Sequence, residues 1–333
     1  MEDKAHRLER HDIETGIADA LQKHITRHVV PPPTISQRRL SFEHKRPRWF
    51  MEMTAEAIGV FLFVYGGIFP IAAMVLNDAS PAISSIFQIG CGFGLGIAFA
   101  IITCAPTSGG HFNPAITICF AIWKGFPWKK VPQYIAAQVF GSFLGGLVVV
   151  GQYRQQLWAL KAKLVAEGVT KFNFNGGPGS ILCSFPNPDQ TNLGYLFMTE
   201  FFIGAYVAFV IWATLDAANP FFSPASAPFI IGLAFSVLEF ADITVSANMA
   251  RDLGTRIVAA IFFGSDAFTY HHHSWIGILG TVPASIFATS VYELLVKDSI
   301  VHIAKGHAGH SEGQGGLMKH LSRVASSGIV EEV

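Results

Sequence analysis

Two short segments constrain this chain most. The first is Gly109-Gly110-His111-Phe112-Asn113-Pro114-Ala115, the second Ser246-Ala247-Asn248-Met249-Ala250-Arg251-Asp252. In each, an Asn stands two residues before an Ala, inside an apolar region. The apolar runs that follow, Ile116 to Trp123 and Leu253 to Phe263, fall short of the about 20 residues needed to cross a bilayer. Half-length helices at corresponding places in two halves point to an inverted-repeat membrane channel or transporter. Each half-helix would begin at its Asn and turn its positive N-terminal end toward the membrane midplane, with the Asn amide donating hydrogen bonds into a pore.

Composition agrees with a membrane environment. Of the 333 residues, 51% are hydrophobic and 14% charged, and the formal net charge is zero. A neutral chain gives nucleic-acid binding no electrostatic support. The cysteines Cys91, Cys104, Cys119 and Cys183 show neither paired CxxC spacing nor metal-ligand spacing. No cofactor or metal is implied, and no enzyme motif survives. Glycines at every second position from Gly90 to Gly96 do not complete the GxGxxG of a nucleotide site.

Full spans are predicted near Phe50–Leu76, Ser84–Cys104, Val131–Gly151, Leu193–Leu215, Ala227–Phe240 and Trp275–Val296. The fold expected is an all-α membrane protein of six transmembrane helices plus two half-helices. It divides into a tail over 1–49, a channel domain over 50–297 with repeats near 50–157 and 193–297, and a second tail over 298–333. Glu56 and Asn113 in the first half are matched by Glu200 and Asn248 in the second, and Gly96-Ile97-Ala98-Phe99 by Gly232-Leu233-Ala234-Phe235. Three spans per half invert the second half in the membrane. An even number of spans puts both tails on one side. Basic residues at Arg38, Arg39, Lys45, Arg46 and Arg48, and at Lys124, Lys129 and Lys130, make that side cytoplasmic. Lys161, Lys163 and Lys171, in the long connection between the halves, count against it.

The remaining segments leave alternatives open. In the first tail Ile13, Ile17, Leu21 and Ile25 recur every four residues up to Pro31-Pro32-Pro33, as a solvated tail or as an amphipathic helix docking on the membrane or the channel mouth. Ser41 follows Arg38-Arg39-Leu40, the pattern of a basic-directed phosphorylation site with a regulatory role. The connection from Gln152 to Asn192 reads as polar and rich in turns. His271-His272-His273 is a solvated turn or a pH sensor. The second tail, with His302, His307, His310 and His320 among Gly and Ser, reads as disordered, with a metal-binding tract as the alternative.

The boxes Asn113-Pro114-Ala115 and Asn248-Met249-Ala250 resemble the paired Asn-Pro-Ala boxes of the aquaporins, and Arg251-Asp252 resembles their glycerol-conducting branch, the aquaglyceroporins. The resemblance runs from about Phe50 to Leu295. It includes Thr54-Ala55-Glu56-Ala57 and Met198-Thr199-Glu200-Phe201, similar to the glutamates of the family's first and fourth helices. Gln133-Tyr134-Ile135-Ala136-Ala137-Gln138-Val139-Phe140-Gly141 is similar to its third helix. Met249 departs from the family's usual Pro.

The resemblance implies a passive channel for water and small neutral solutes such as glycerol, in a lipid bilayer, assembled as a homotetramer in a plasma membrane. Water-selective, hydrogen-peroxide-selective and coupled-transporter readings are the alternatives. It implies supporting roles for Glu56, Glu200, Gln138 and Asp252, the competing role for the glutamates being that of a pore-lining proton carrier. It implies a selectivity filter of Phe93, Val245 and Arg251, with the fifth-helix member between Ser236 and Glu239. Arg251 otherwise pairs with Asp252 or Asp242. Asp252 with Arg256, and the non-aromatic Thr281 and Val282 in the last span, match the glycerol branch.

Overall fold

Lipid offers no partner to backbone N–H and C=O groups, so a chain this apolar must satisfy them within helices or a closed barrel. A computed structural model describes residues 34–78, 80, 82–240 and 245–326, and every regular element among them is helical. The chain divides between Pro47 and Arg48. On the N-terminal side lies α1 (Gln37–His44), capped by Ser36 Oγ, which accepts from the Arg39 amide at 3.2 Å. Ser41 is exposed on it. The apolar pattern from Ile13 to Ile25 and the run Pro31 to Pro33 lie outside the described residues, as does Asp242.

The second unit contains two similar series. The first is α2 (Arg48–Leu76), α3 (Ile86–Ser108), the half-helix α4 (Pro114–Trp123) and α5 (Val131–Gln152). The second is α7 (Leu193–Thr214), α8 (Ala227–Glu239), the half-helix α9 (Met249–Phe263) and α10 (Ser274–Val296), with α6 (Arg154–Ala166) between the two series. Among the described residues, five helices are long and apolar enough to cross a membrane: α2, α3, α5 with the turn before it, α7 and α10. The predicted span Ala227–Phe240 is shorter than a full crossing. It forms 13 helical residues, about 20 Å at 1.5 Å per residue. Pro224 and Pro228 bound its start, and its apolar run stops at Glu239.

Close helix crossings depend on missing side chains. A Cβ at Gly94 in α3 or at Gly232 in α8 would overlap the other residue's carbonyl oxygen, and one at Gly141 in α5 would overlap that of Ala57 in α2. Small residues at such crossings let membrane helices approach to backbone contact. Large apolar side chains such as Leu95, Phe99, Phe140, Phe202 and Leu233 remain exposed on the outside of the bundle, as contact with lipid requires.

The two segments read as irregular are more ordered than expected. The connection Gln152 to Asn192 contains α6 and a wholly buried stretch in which Ile181, Leu182, Cys183 and Phe185 are each at most 1% exposed. The tail read as disordered carries α11 (Ser299–Ala304) and α12 (Gly313–Ser326). Asp298 caps α11 by accepting from the Ile300 amide at 2.8 Å, and its His302 is buried, with Nε2 2.8 Å from Asp216 Oδ1. Burial raises the pKa of the Asp216 carboxyl, but hydrogen bonds from Tyr292 and the Ala218 amide, with the charges of His302 and Lys297, outweigh it and hold the group below its ordinary value. Lys305 Nζ donates to Ala218 O at 2.8 Å. These partners sit far away in sequence, which is why composition alone suggested disorder.

Candidate functional site

The two half-helices meet through their N-terminal ends. Asn113 caps α4, its Oδ1 accepting from the Ala115 amide at 2.9 Å, and Asn248 caps α9, its Oδ1 accepting from Ala250 at 2.9 Å and Arg251 at 3.2 Å. Each amide nitrogen then reaches across. Asn113 Nδ2 donates to Ala247 O at 3.3 Å, and Asn248 Nδ2 donates to Phe112 O at 2.8 Å. The expected donation into a pore is thereby shared, because each Asn gives one N–H to the opposite loop. Pro114 and Met249 hold the same first helical position, where a backbone N–H has no intrahelical acceptor in any case.

The residue before each Asn is left-handed, with φ of 48° at Phe112 and 53° at Ala247. Non-glycine residues hold this conformation only where their surroundings enforce it, and here a carboxylate does so in both repeats. Glu56 accepts from the amides of His111 at 3.0 Å and Phe112 at 2.8 Å, from Ser108 Oγ at 2.6 Å and from Gln138 Nε2 at 2.7 Å. Glu200 accepts from the amides of Ser246 at 2.9 Å and Ala247 at 2.8 Å. Gln138 also donates to Thr117 Oγ1 at 3.0 Å, tying α5 to α4.

Two cavities approach this meeting point from opposite ends of the bundle. A cavity of about 370 Å³ lies by the C-terminal end of α2 and the start of α3, under the long connection, and is lined by Glu239, Val245, Arg251, Ser184 and Asn175 among others. We call it the loop-side cavity. A cavity of about 130 Å³ lies by the C-terminal end of α3 and is lined by His111, Asn113, Asn248, Phe120 and Ile231 among others. Glu56 and Glu200 are absent from both linings.

Arg251 is 3% exposed, with its guanidinium carbon 5.2 Å from the centre of the Phe93 ring. Its Nη1 donates to Ser184 Oγ at 3.1 Å and lies 3.8 Å from Asp252 Oδ1. The carboxylate of Asp252 is instead gripped at both oxygens by Arg256, at 2.7 and 2.8 Å. Arg256 further donates to Ala267 O and Ser184 O, at 2.7 and 2.8 Å. Thus Phe93, Val245 and Arg251 come together. Of the four positions left open on the fifth helix, Ser236 packs against the Gly94 backbone, whereas Glu239 lines the cavity.

Sequence reasoning missed Ser184. Its Oγ donates to Val245 O at 2.6 Å while accepting from Arg251, so it joins two filter candidates. The apolar run Ile181-Leu182-Cys183-Ser184-Phe185 in a polar connection was the available signal. His273 is buried instead of solvated, its ring nitrogens 2.8 Å from Tyr270 O and 2.9 Å from Ser184 O. Burial is the main influence on that imidazole and lowers its pKa.

Two inverted series whose half-helices meet tip to tip between two cavities define a membrane channel. The chain belongs to the major intrinsic protein family, whose model matches residues 43–292. It is 37% identical over 290 residues to Aquaporin-3 of Laccaria bicolor, covering 85% of this chain and 87% of that one. It is 34% identical over 252 residues to Aquaglyceroporin-2 of Rhizophagus irregularis, covering 74% and 77%. The fold matches the X-ray structure of the aquaglyceroporin from Plasmodium falciparum with a TM-score of 0.63, at 23% identity, over 77% of this chain and 99% of that one.

Proposed function

We propose that this integral membrane protein is a passive channel for water and for small neutral solutes such as glycerol. The observation that carries the reading is the tip-to-tip meeting of α4 and α9, cross-linked by Asn113 and Asn248. It turns the positive ends of two helix dipoles toward one point of the path, which opposes cations and protons and leaves neutral solutes unhindered. Phe93, Val245, Arg251 and Glu239 form the constriction beside the loop-side cavity, and that cavity opens outward. Glu56, Glu200, Gln138 and Asp252 hold the pore-forming loops in shape. Both oxygens of Glu56 and of Glu200 are occupied by loop or side-chain donors, which favours support over proton carriage. The channel works without a cofactor, as a homotetramer in the plasma membrane, with both tails in the cytoplasm.

Purified channel in liposomes, followed by stopped-flow light scattering, is expected to raise both water and glycerol permeability well above protein-free vesicles. Swelling with water alone would exclude the glycerol-conducting reading. Ser41, exposed on α1 close behind Arg38 and Arg39, is the acceptor of a regulatory phosphate on this reading. A basic-directed kinase is expected to label the wild-type protein and not Ser41→Ala, and equal labelling of both would remove the assignment.

A further inference from the structure

Glu239 is the acidic residue at which the apolar run of α8 ends. It is half-buried and lines the loop-side cavity with Arg251. Among the described residues its carboxylate makes no hydrogen bond and no ion pair. A carboxylate withdrawn from bulk water is costly unless something pairs with it, so its acceptor capacity is directed to whatever fills the cavity. In the same cavity Arg251 engages the protein through Nη1 alone, which donates to Ser184 Oγ at 3.1 Å and lies 3.8 Å from Asp252 Oδ1. Its Nε and Nη2 donors have no protein acceptor among the described residues. Much of the remaining lining is apolar, including Ile71, Met74, Val75 and Ile89. The cavity therefore carries an unsatisfied acceptor of one charge and unsatisfied donors of the other.

We propose that Glu239 and Arg251 form a two-ended solute site in the loop-side cavity, and that Glu239 sets which neutral solutes the channel prefers. The inference rests on reading this cavity as part of the permeation path. Each end disfavours ions of its own sign, so the site suits neutral molecules. Bonds to an ionised partner are the stronger kind, and a molecule with a donor and an acceptor on neighbouring atoms gains two of them. Vicinal polyols fit first, one hydroxyl accepting from Arg251 and the next donating to Glu239. Urea offers its carbonyl oxygen and an N–H in the same arrangement. Water has one oxygen where a vicinal diol has two, so it is held less strongly between the two ends and its flux depends less on Glu239.

The test compares glycerol and water permeability, per folded channel, in liposomes containing wild type, Glu239→Gln, Glu239→Leu and Glu167→Gln. Gln has the same shape as Glu and guards against a packing defect. Glu167 is an exposed acid at the C-terminal end of α6, outside the lining of the cavity, so Glu167→Gln removes equal charge away from the site. The glycerol-to-water ratio is expected to fall about tenfold in Glu239→Leu and about threefold in Glu239→Gln, the range set by losing or weakening one charge-assisted hydrogen bond. In Glu167→Gln it should stay within about twofold. Unchanged ratios in both Glu239 variants, or an equal fall in Glu167→Gln, would overturn the inference alone. A wild-type protein that conducts water but excludes glycerol would overturn the reading beneath it as well.

Discussion

Glu56→Ala is expected to leave no folded channel, and Glu200→Ala to be the milder of the two. Truncating Glu56 strands four buried donors at once: the amides of His111 and Phe112, Ser108 Oγ and Gln138 Nε2. Truncating Glu200 strands two, the amides of Ser246 and Ala247. A buried donor without a partner costs about 1–3 kcal/mol, against a total stability of about 5–15 kcal/mol for a typical domain. Glu200→Ala then costs about 2–6 kcal/mol, and Glu56→Ala roughly twice that. The loops would also relax, since Phe112 and Ala247 hold φ of 48° and 53° only while their amides are held. Thermal unfolding in detergent and the monodisperse fraction on size exclusion read both effects. A Glu56→Ala protein as stable as wild type would show that the carboxylate does not hold the loop.

The repeat was legible because its signals are local. An Asn cap followed by Pro or Met marks a helix start, and a lone Glu in an apolar span marks a buried acceptor whose partners must lie in the same bundle. Gly96 and Gly232 stand at matching places in the two halves, and Gly232 packs on the backbone of Gly94, two residues before Gly96, where α3 and α8 cross. The short α8 was less legible, since an apolar run shows where a helix can lie and not where Pro224, Pro228 and Glu239 stop it.

Other features depend on partners far apart in the chain. Ser184 gains its place by bridging Val245 O and Arg251, 61 and 67 residues away. His302 is buried because Asp216 lies beside it, and neither residue has an unusual neighbourhood in sequence. The same limit applied to the filter candidates. Spacing left four positions open on the fifth helix, and only the rotation of α8 separates Ser236, which packs on Gly94, from Glu239, which lines the cavity. The competing partner for Arg251 was also a matter of geometry. Asp252 follows Arg251 directly and lies 3.8 Å from its Nη1, yet Arg256, one helical turn on, takes both carboxylate oxygens at 2.7 and 2.8 Å, and Arg251 also lines the cavity.

Arg251→Ala is expected to convert the pore from one that rejects cations to one that leaks them. On the proposed function, a cation in the loop-side cavity meets the guanidinium of Arg251 before it reaches the two helix N-termini. At an effective dielectric of about 20, a unit charge about 4 Å away contributes about 4 kcal/mol of repulsion, a factor approaching 10³ in occupancy. Glu239 offsets part of that barrier in the intact channel, so the measurable change is smaller than the full factor. In Arg251→Ala, however, the carboxylate of Glu239 is left unopposed and the charge at the constriction reverses. Potassium or proton flux through liposomes under an imposed potential is therefore expected to rise at least about tenfold. Adding Glu239→Gln to Arg251→Ala should undo much of the rise, because it removes the remaining attraction without restoring the repulsion. Water permeability reports in parallel that the pore is still formed. An Arg251→Ala channel that conducts water and stays as tight to cations as wild type would place the cation barrier wholly at the helix N-termini around Asn113 and Asn248.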